Sequence, residues 1–305
     1  MNRDAPAVDA VAEALGPRVR HQVPLGPLTT YRVGGPAALL LDAHAVADLV
    51  DLGQVLGEHP LPVLVVGKGS NLLVLDGGFP GVVVHLGDEF ASISIDDTRV
   101  TAGGAASMPV VARRTARAGL TGFEWAVGIP GSIGGSVRMN AGGHGSDMAA
   151  SLISIRVVDL AGGDHDEVPT DALDLSYRSS NLAPSTVVVD ATLGLDRGDP
   201  ATAQAEIDSI VRWRRANQPG GPNAGSVFTN PPDDHAGRLI DEAGCRGLRL
   251  GSAQVSPKHA NFIQADPGGS ADDIWRLMNE VRARVAERTG VELRAETHVV
   301  GEPAS

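Results

Sequence analysis

The stretch Trp125-Ala-Val-Gly-Ile-Pro-Gly-Ser-Ile-Gly-Gly-Ser-Val-Arg-Met-Asn-Ala-Gly-Gly143 constrains this chain more than any other. Glycines at this density let a backbone come closer to a ligand than a Cβ would permit, and consecutive N–H groups of such a loop can converge on an anion. A diphosphate is the natural guest. A tight surface loop would also be glycine-rich. Here, however, apolar residues lie inside the run, which predicts a buried loop rather than a solvated one.

A second loop of the same kind precedes it. In Val65-Val-Gly-Lys-Gly-Ser-Asn-Leu-Leu-Val74 two apolar runs that read as strands flank Gly67, Lys68, Gly69, Ser70 and Asn71. Strand, glycine turn with Ser and Asn donors, strand: the pattern suits a phosphate or ribityl cradle with no helix behind it. Walker and Rossmann loops both require a helix immediately after the glycines, so it is neither.

These two loops, with Thr30-Tyr-Arg-Val-Gly-Gly35 upstream, resemble the UDP-N-acetylenolpyruvoylglucosamine reductases, from about residue 22 to residue 301. The resemblance implies an α+β fold of three domains. Two of them, residues 1–86 (a βαβ unit) and 87–205 (mostly β), would form an FAD-binding fold of the vanillyl-alcohol-oxidase type. Residues 206–305 would form an α/β substrate-binding domain, its strand at 291–301 returning to the active site. Non-covalent FAD is expected on Tyr31 and Arg32, on Gly67, Lys68, Gly69, Ser70 and Asn71, and on Gly128, Ile129, Pro130, Gly131, Ser132, Ile133, Gly134, Gly135, Asn140, Ala141 and Gly142.

The bulk properties are compatible. A chain of 305 residues, 42% hydrophobic, can bury several cores, and with 3% aromatic residues those cores must be aliphatic. A net charge of −12 argues against nucleic-acid and anionic-membrane partners. The lone cysteine, Cys245, excludes an intramolecular disulfide and a cysteine-rich metal site, and no metal is expected. The start, Met1-Asn-Arg-Asp-Ala-Pro, has no basic segment followed by an apolar run, and no stretch approaches the roughly 20 apolar residues that span a bilayer. A soluble, cytoplasmic monomer is the expectation.

Periodicity predicts helices over 8–15, around Val46–Val50, over 107–118, 201–216 and 236–243, and a long one from Ser270, where Asp273 completes a capping-box variant. Strands are predicted at 37–41, 61–66, 82–86, 91–95, 99–102, 152–159, 186–195 and 260–264. Gln218-Pro-Gly-Gly-Pro222 breaks the chain and suggests a boundary.

The resemblance also supplies the chemistry. Tyr177-Arg178, the Gly-Ser-Val-Phe of Asn223–Pro231 and the Glu of Leu293–Gly301 match the family's catalytic segments. Alone, a Gly-Ser is ordinarily a turn, a Tyr-Arg a surface pair, and Glu296 part of a solvated face with Arg294 and His298. Together they imply that NADPH reduces FAD, that hydride passes to the terminal enolpyruvyl carbon, and that Ser226 protonates the neighbouring carbon with help from Arg178 and Glu296. An arginine suits that task, being permanently charged with forked donors. Tyr177, Asn230, Lys258 and His259 are the implied substrate ligands. The Lys that the family often has near the Pro after the third helix is Asn217 here, and Arg214 or Arg215 could replace it. The short interval between Arg178 and Ser226 leaves little space for the Tyr-bearing insert of one branch, so the second, shorter type is implied. Another FAD-dependent oxidase or dehydrogenase of the same fold is the alternative; such enzymes often tether flavin through a His or Cys, for which only His144 stands near the glycine stretch. A non-catalytic nucleotide-binding module is the other.

Overall fold

Short Val- and Leu-rich runs become strands here because branched and apolar side chains fill both faces of a covered sheet. The computed structural model describes residues 5–304; Met1–Asp4, part of the segment on which the expectation of no leader rests, and Ser305 lie outside the described residues. The chain divides into two compact units. The first takes residues up to His21, Leu39–Lys68 and Gly81–Arg214; the second takes Gln22–Ala38, Gly69–Pro80 and Arg215 onward.

The first unit has two cores. One lies between helices α1 (Ala5–Leu15) and α2 (Val46–Glu58) and a four-stranded sheet ordered Val19–Pro24, Pro36–Ala43, Phe79–Leu86, Val63–Val66. Leu39, Leu41, Leu49, Leu52, Val82 and Val84 fill it. The last two strands run parallel, with Val63 opposite Val82. The other core lies under an antiparallel sheet ordered His165–Pro169, Leu152–Asp159, Thr186–Gly194, Arg99–Gly103, Ile93–Asp96. Val111 of helix α3 (Met108–Arg117), Phe123, Trp125, Ile133 of helix α4 (Ile133–Arg138) and Ile207 of helix α5 (Pro200–Asn217) pack into it.

Helix α4 lies within the stretch expected to be a glycine loop. Ser132 caps it, its Oγ accepting from the Gly135 N–H at 3.4 Å, and Ile133, Ser136 and Val137 turn inward. The intrinsic cost of two glycines in a helix, about 1 kcal/mol each, is met by that packing. Ahead of it Glu124–Gly128 forms a 3₁₀ turn.

The second unit joins helices α6 (Ala236–Glu242) and α7 (Ala271–Thr289) to an antiparallel sheet of Arg249–Leu250, Ala253–Val255 and Ile263–Ala265. The apolar stripe of α7 (Ile274, Leu277, Met278, Val281, Val285) shares its core with Tyr31, Leu73, Val227 and Phe228. Leu72–Val74 pairs in parallel with His298–Val300, which places 69–80 in this unit. The two compact units are thus partitioned differently from the sequence-contiguous domains 1–86, 87–205 and 206–305, since 22–38 and 69–80 go with the C-terminal segment.

Only half of the capping box at Ser270 forms. Ser270 Oγ accepts from the Asp273 N–H at 3.2 Å, but the Asp273 carboxylate turns instead to the Ser252 N–H and hydroxyl. Asp76 takes over the first turn of α7, accepting from the Ala271 N–H at 2.9 Å, the Asp272 N–H at 3.2 Å and the Ser270 hydroxyl. Among the described residues no helix is long and apolar enough to cross a membrane.

Candidate active site

In the first unit the two glycine segments touch. A Cβ built on Gly67 would overlap Ser132 Oγ and lie 3.2 Å from Ser132 Cβ, so only glycine lets the loops approach this closely. Ile133 and Gly134 spend their N–H groups on the carbonyls of Ala106 and Gly104. The N–H groups of Gly67, Lys68, Gly131 and Ser132, by contrast, donate to no acceptor among the described residues, although Gly131 and Ser132 are buried. Buried peptide donors are normally paired. Four donors on two touching loops, two of them buried, fit an anionic group such as the diphosphate of FAD.

The rest of the central stretch holds the Tyr-Arg segment. Asn140, buried and left-handed at φ 36°, donates through Nδ2 to the Ser176 carbonyl at 3.1 Å and accepts the Ala149 N–H at 3.0 Å. Ser180 Oγ donates to the Arg138 carbonyl at 2.7 Å, and the Arg138 guanidinium donates to the carbonyls of Leu182 and Ala183, both at 3.1 Å. Burial lowers the Arg138 pKa. Arg178 itself is left-handed at φ 57°, a conformation costly for a residue with a Cβ. Its Nη2 donates to the Gly142 carbonyl at 2.9 Å, and its guanidinium lies 5.1 Å from the ring centroid of Tyr177, which is exposed. Arg214 donates to the Gly128 carbonyl, and His144 meets Trp213 edge-on at 5.2 Å. Desolvation, then the Arg214 charge, pushes the His144 pKa down.

In the second unit a cavity of about 330 Å³ is lined by Ser226, Asn230, Lys258 and His259, and also by His235, Arg238 and Arg246. Ser226 is held from both sides. The next peptide bonds from Val227 N–H to the Asn261 carbonyl at 2.9 Å, while the Val227 carbonyl accepts Glu296 N–H at 2.8 Å and Thr297 N–H at 3.2 Å. Ser226 and Glu296 therefore stand on paired segments. Asn71 ties the Glu296 segment from its other edge: Nδ2 donates to the Glu296 carbonyl at 2.9 Å, and its own carbonyl accepts the His298 N–H at 2.9 Å. Like the four in the first unit, Gly69 and Ser70 keep N–H groups with no acceptor among the described residues. Gly69 is left-handed at φ 56°, and a Cβ there would overlap the Leu28 carbonyl.

The cations of the cavity are unequal. Arg238 is engaged by Asp234 and Glu242, and Arg246 by Asp241. Lys258 Nζ donates to the Arg215 carbonyl. The His259 Nδ1 accepts the Asn261 N–H at 3.3 Å, so the neutral ring carries its proton on Nε2, and burial with the Arg246 charge lowers its pKa. Asn230 Oδ1 accepts the Ala236 N–H at 3.0 Å. Tyr31 is fully buried in the core of the second unit, and Ile133 in the core under the antiparallel sheet of the first. The Tyr31 hydroxyl is buried, as is that of Thr297, and neither makes a hydrogen bond of normal geometry among the described residues. Desolvation raises the Tyr31 pKa; the nearby Thr297 hydroxyl and Ala224 backbone offset only part of that rise.

Residues 37–167 match the family model of an FAD binding domain, and residues 216–300 match that of the UDP-N-acetylenolpyruvoylglucosamine reductase C-terminal domain. The UDP-N-acetylenolpyruvoylglucosamine reductase of Rubrobacter xylanophilus is 40% identical over 97% of this chain and 99% of its own. The chain belongs to the UDP-N-acetylenolpyruvoylglucosamine reductase family. The Heliobacterium modesticaldum enzyme of that name is 43% identical over 92% of this chain and 90% of its own. The crystal structure of the Thermus caldophilus reductase superposes with a TM-score of 0.81 at 36% identity, covering 92% of this chain and 98% of that one. A glucose dehydrogenase, wild-type Phl p 4.0202, shares the fold alone, with a TM-score of 0.50 at 13% identity, covering 95% of this chain and 60% of that one.

Sequence reasoning about this reductase-family chain missed the side chains that hold the site in place. Asn261 and Arg138 act on backbone atoms far along the chain, and no local pattern marks them. Asn140 was singled out in the glycine stretch as a cofactor residue, and the structure adds its bonds to the Ser176 carbonyl and the Ala149 N–H.

Proposed function

We propose that this chain reduces UDP-N-acetylglucosamine enolpyruvate to UDP-N-acetylmuramate with NADPH, in the cytoplasm and as a monomer, a step of peptidoglycan precursor synthesis. The observation that carries the reading is the pairing of the Ser226 and Glu296 segments on the Val227 carbonyl, at a cavity lined by Asn230, Lys258 and His259. The N–H groups of Gly67, Lys68, Gly131 and Ser132 would hold the FAD diphosphate. Bound FAD supplies a two-electron carrier between NADPH and the enolpyruvyl group.

The residues of the chain do the rest. Adding hydride to the terminal enolpyruvyl carbon leaves negative charge beside a carboxylate, and Arg178 stabilises it with a forked, permanent cation, a donor of a kind worth ~3–4 kcal/mol. Ser226 gives its hydroxyl proton to the neighbouring carbon, and the left-handed Gly225 before it carries no Cβ to crowd the substrate. Glu296 assists Ser226 from the adjoining segment. Lys258 and the Nε2–H of His259 supply donors for phosphate oxygens, and Asn230, its Oδ1 occupied, offers its amide N–H groups.

The test separates the two half-reactions in Ser226→Ala. NADPH should bleach the flavin at the wild-type rate, while reoxidation by the enolpyruvyl substrate should slow by about 10²–10⁴-fold. Equal loss in both halves would make Ser226 a structural residue and defeat the assignment.

A further inference from the structure

We infer that Asn261 is a positioning residue that fixes Ser226 for proton delivery; the inference rests on the reading of Ser226 as the proton donor. Asn261 is buried, and it treats the Val227–Phe228 peptides as a neighbouring strand would. Its backbone carbonyl accepts the Val227 N–H at 2.9 Å, its Oδ1 accepts the Phe228 N–H at 3.0 Å, and its Nδ2 donates to the Phe228 carbonyl at 2.8 Å. Both ends of the amide are thus spent on one residue. With Oδ1 and Nδ2 both engaged by Phe228, the orientation of the amide is set by the backbone it holds, so Asn261 serves as a clamp although it stands in the cavity wall.

The clamp acts where Ser226 needs it. On its N-terminal side Ser226 follows the left-handed Gly225, whose N–H is held by Asn223 Oδ1 at 3.0 Å, a turn that leaves the backbone its widest freedom. On its C-terminal side the chain is fixed at once: Phe228 is fully buried and bridges to Ala295, and the Val227 carbonyl accepts from Glu296 and Thr297. Asn261 is the side chain that sets the plane of this second anchor. It thereby sets the direction in which the Ser226 hydroxyl enters the cavity and its offset from Glu296. Misplacing a reacting group by about 1 Å costs on the order of 10²-fold in rate, so the effect of losing the clamp falls on proton transfer.

Asn261→Asp keeps the acceptor for the Phe228 N–H and sets two acceptors face to face where Nδ2 met the Phe228 carbonyl. Flavin reduction by NADPH should stay within about twofold of wild type. Reoxidation by the enolpyruvyl substrate should slow by about ten- to a hundredfold with KM nearly unchanged, and its solvent deuterium isotope effect should rise. Amide exchange of Val227 and Phe228, followed by mass spectrometry, should quicken in the same protein. Leu277→Ala, which opens a cavity in the same core but removes none of the Asn261 hydrogen bonds, is the control for lowered stability. If Asn261→Asp does not fold, Asn261→Ser replaces it with the same expectations. A reoxidation defect no larger than that of Leu277→Ala at equal Tm, or equal slowing of both half-reactions, overturns the inference. An active Ser226→Ala would sink the underlying reading instead, whereas an inactive Ser226→Ala beside an unimpaired Asn261→Asp would sink only the clamp.

Discussion

Gly67→Ala tests whether the close approach of the two glycine segments is what binds the cofactor. The backbone at Gly67 is not left-handed, so alanine can adopt it, and the restricted unfolded chain alone would stabilise the fold by about 0.4–1 kcal/mol. Against this, the new Cβ overlaps Ser132 Oγ. The hydroxyl must swing away and give up its cap on the Gly135 N–H, typically about 1 kcal/mol. The two effects nearly cancel, and the cofactor-free protein should melt close to wild type. Binding should not survive so well, because the Ser132 main chain also has to move: its Cβ would lie 3.2 Å from the added carbon. A displaced N–H to a charged oxygen is worth about 1.5–3 kcal/mol, a ten- to hundredfold rise in the FAD dissociation constant. Quenching of flavin fluorescence on titrating the cofactor-free protein measures it. Ser132→Ala in the same chain removes the colliding oxygen and should return part of the affinity, a coupling of about 1 kcal/mol in the double-mutant cycle. Wild-type affinity in Gly67→Ala, or a loss indifferent to the Ser132 hydroxyl, would refute the cradle.

Two further outcomes follow from the same geometry. Asp76→Ala strips the first turn of α7 of the carboxylate that accepts from Ala271, Asp272 and Ser270, and should cost about 2–3 kcal/mol, read as a lower midpoint in urea unfolding with unchanged slope. The depressed pKa of His259 makes the unfolded chain the better proton acceptor, so its contribution to stability is whole above the unfolded value of about 6.5 and is lost as pH falls from there toward the folded value. His144, shifted the same way, adds to that slope, and His44, raised by Glu89, opposes it. The difference in Tm between wild type and His259→Gln should therefore shrink on going from pH 7.5 to 5; a difference constant across that range contradicts the shift.

The helices with a clean apolar stripe were legible in the sequence, α7 above all, because amphipathic spacing states which face is buried. Its cap was only half legible. Ser270 could be read, but the carboxylate that completes the turn is Asp76, which the chain delivers through the pairing of Leu72–Val74 with His298–Val300. The two strands flanking the loop at 67–71 exist as expected, yet they pair with different partners, Phe79–Leu86 for one and His298–Val300 for the other. Parallel pairing over such a distance leaves no local trace. Helix α4 was hidden for the opposite reason, since its glycines argue against a helix and only burial against Gly104 and Val188 overrides them.

The same distinction governs the site. The groups proposed to do chemistry, Arg178, Ser226 and Glu296, are each flanked by residues whose pattern can be matched in the sequence. The aiming done by the groups around them cannot be, even for Asn71 and Asn140, which stand in matched motifs, because aiming is done on backbone atoms. Arg138 and Asn140 hold the carbonyls of 176–183, Asn71 holds that of Glu296, and Asn261 holds both polar atoms of Phe228. A carbonyl is the same acceptor whatever side chain stands beside it, so the sequence around the recipient says nothing of its donor. Three of the four are asparagines, whose amide carries a donor and an acceptor at the spacing of a peptide and can stand in for a missing strand. Where a catalytic loop leaves a sheet before its chemistry is placed, an asparagine buried against the next residue's N–H and C=O is therefore the substitution most able to disturb rate without touching substrate.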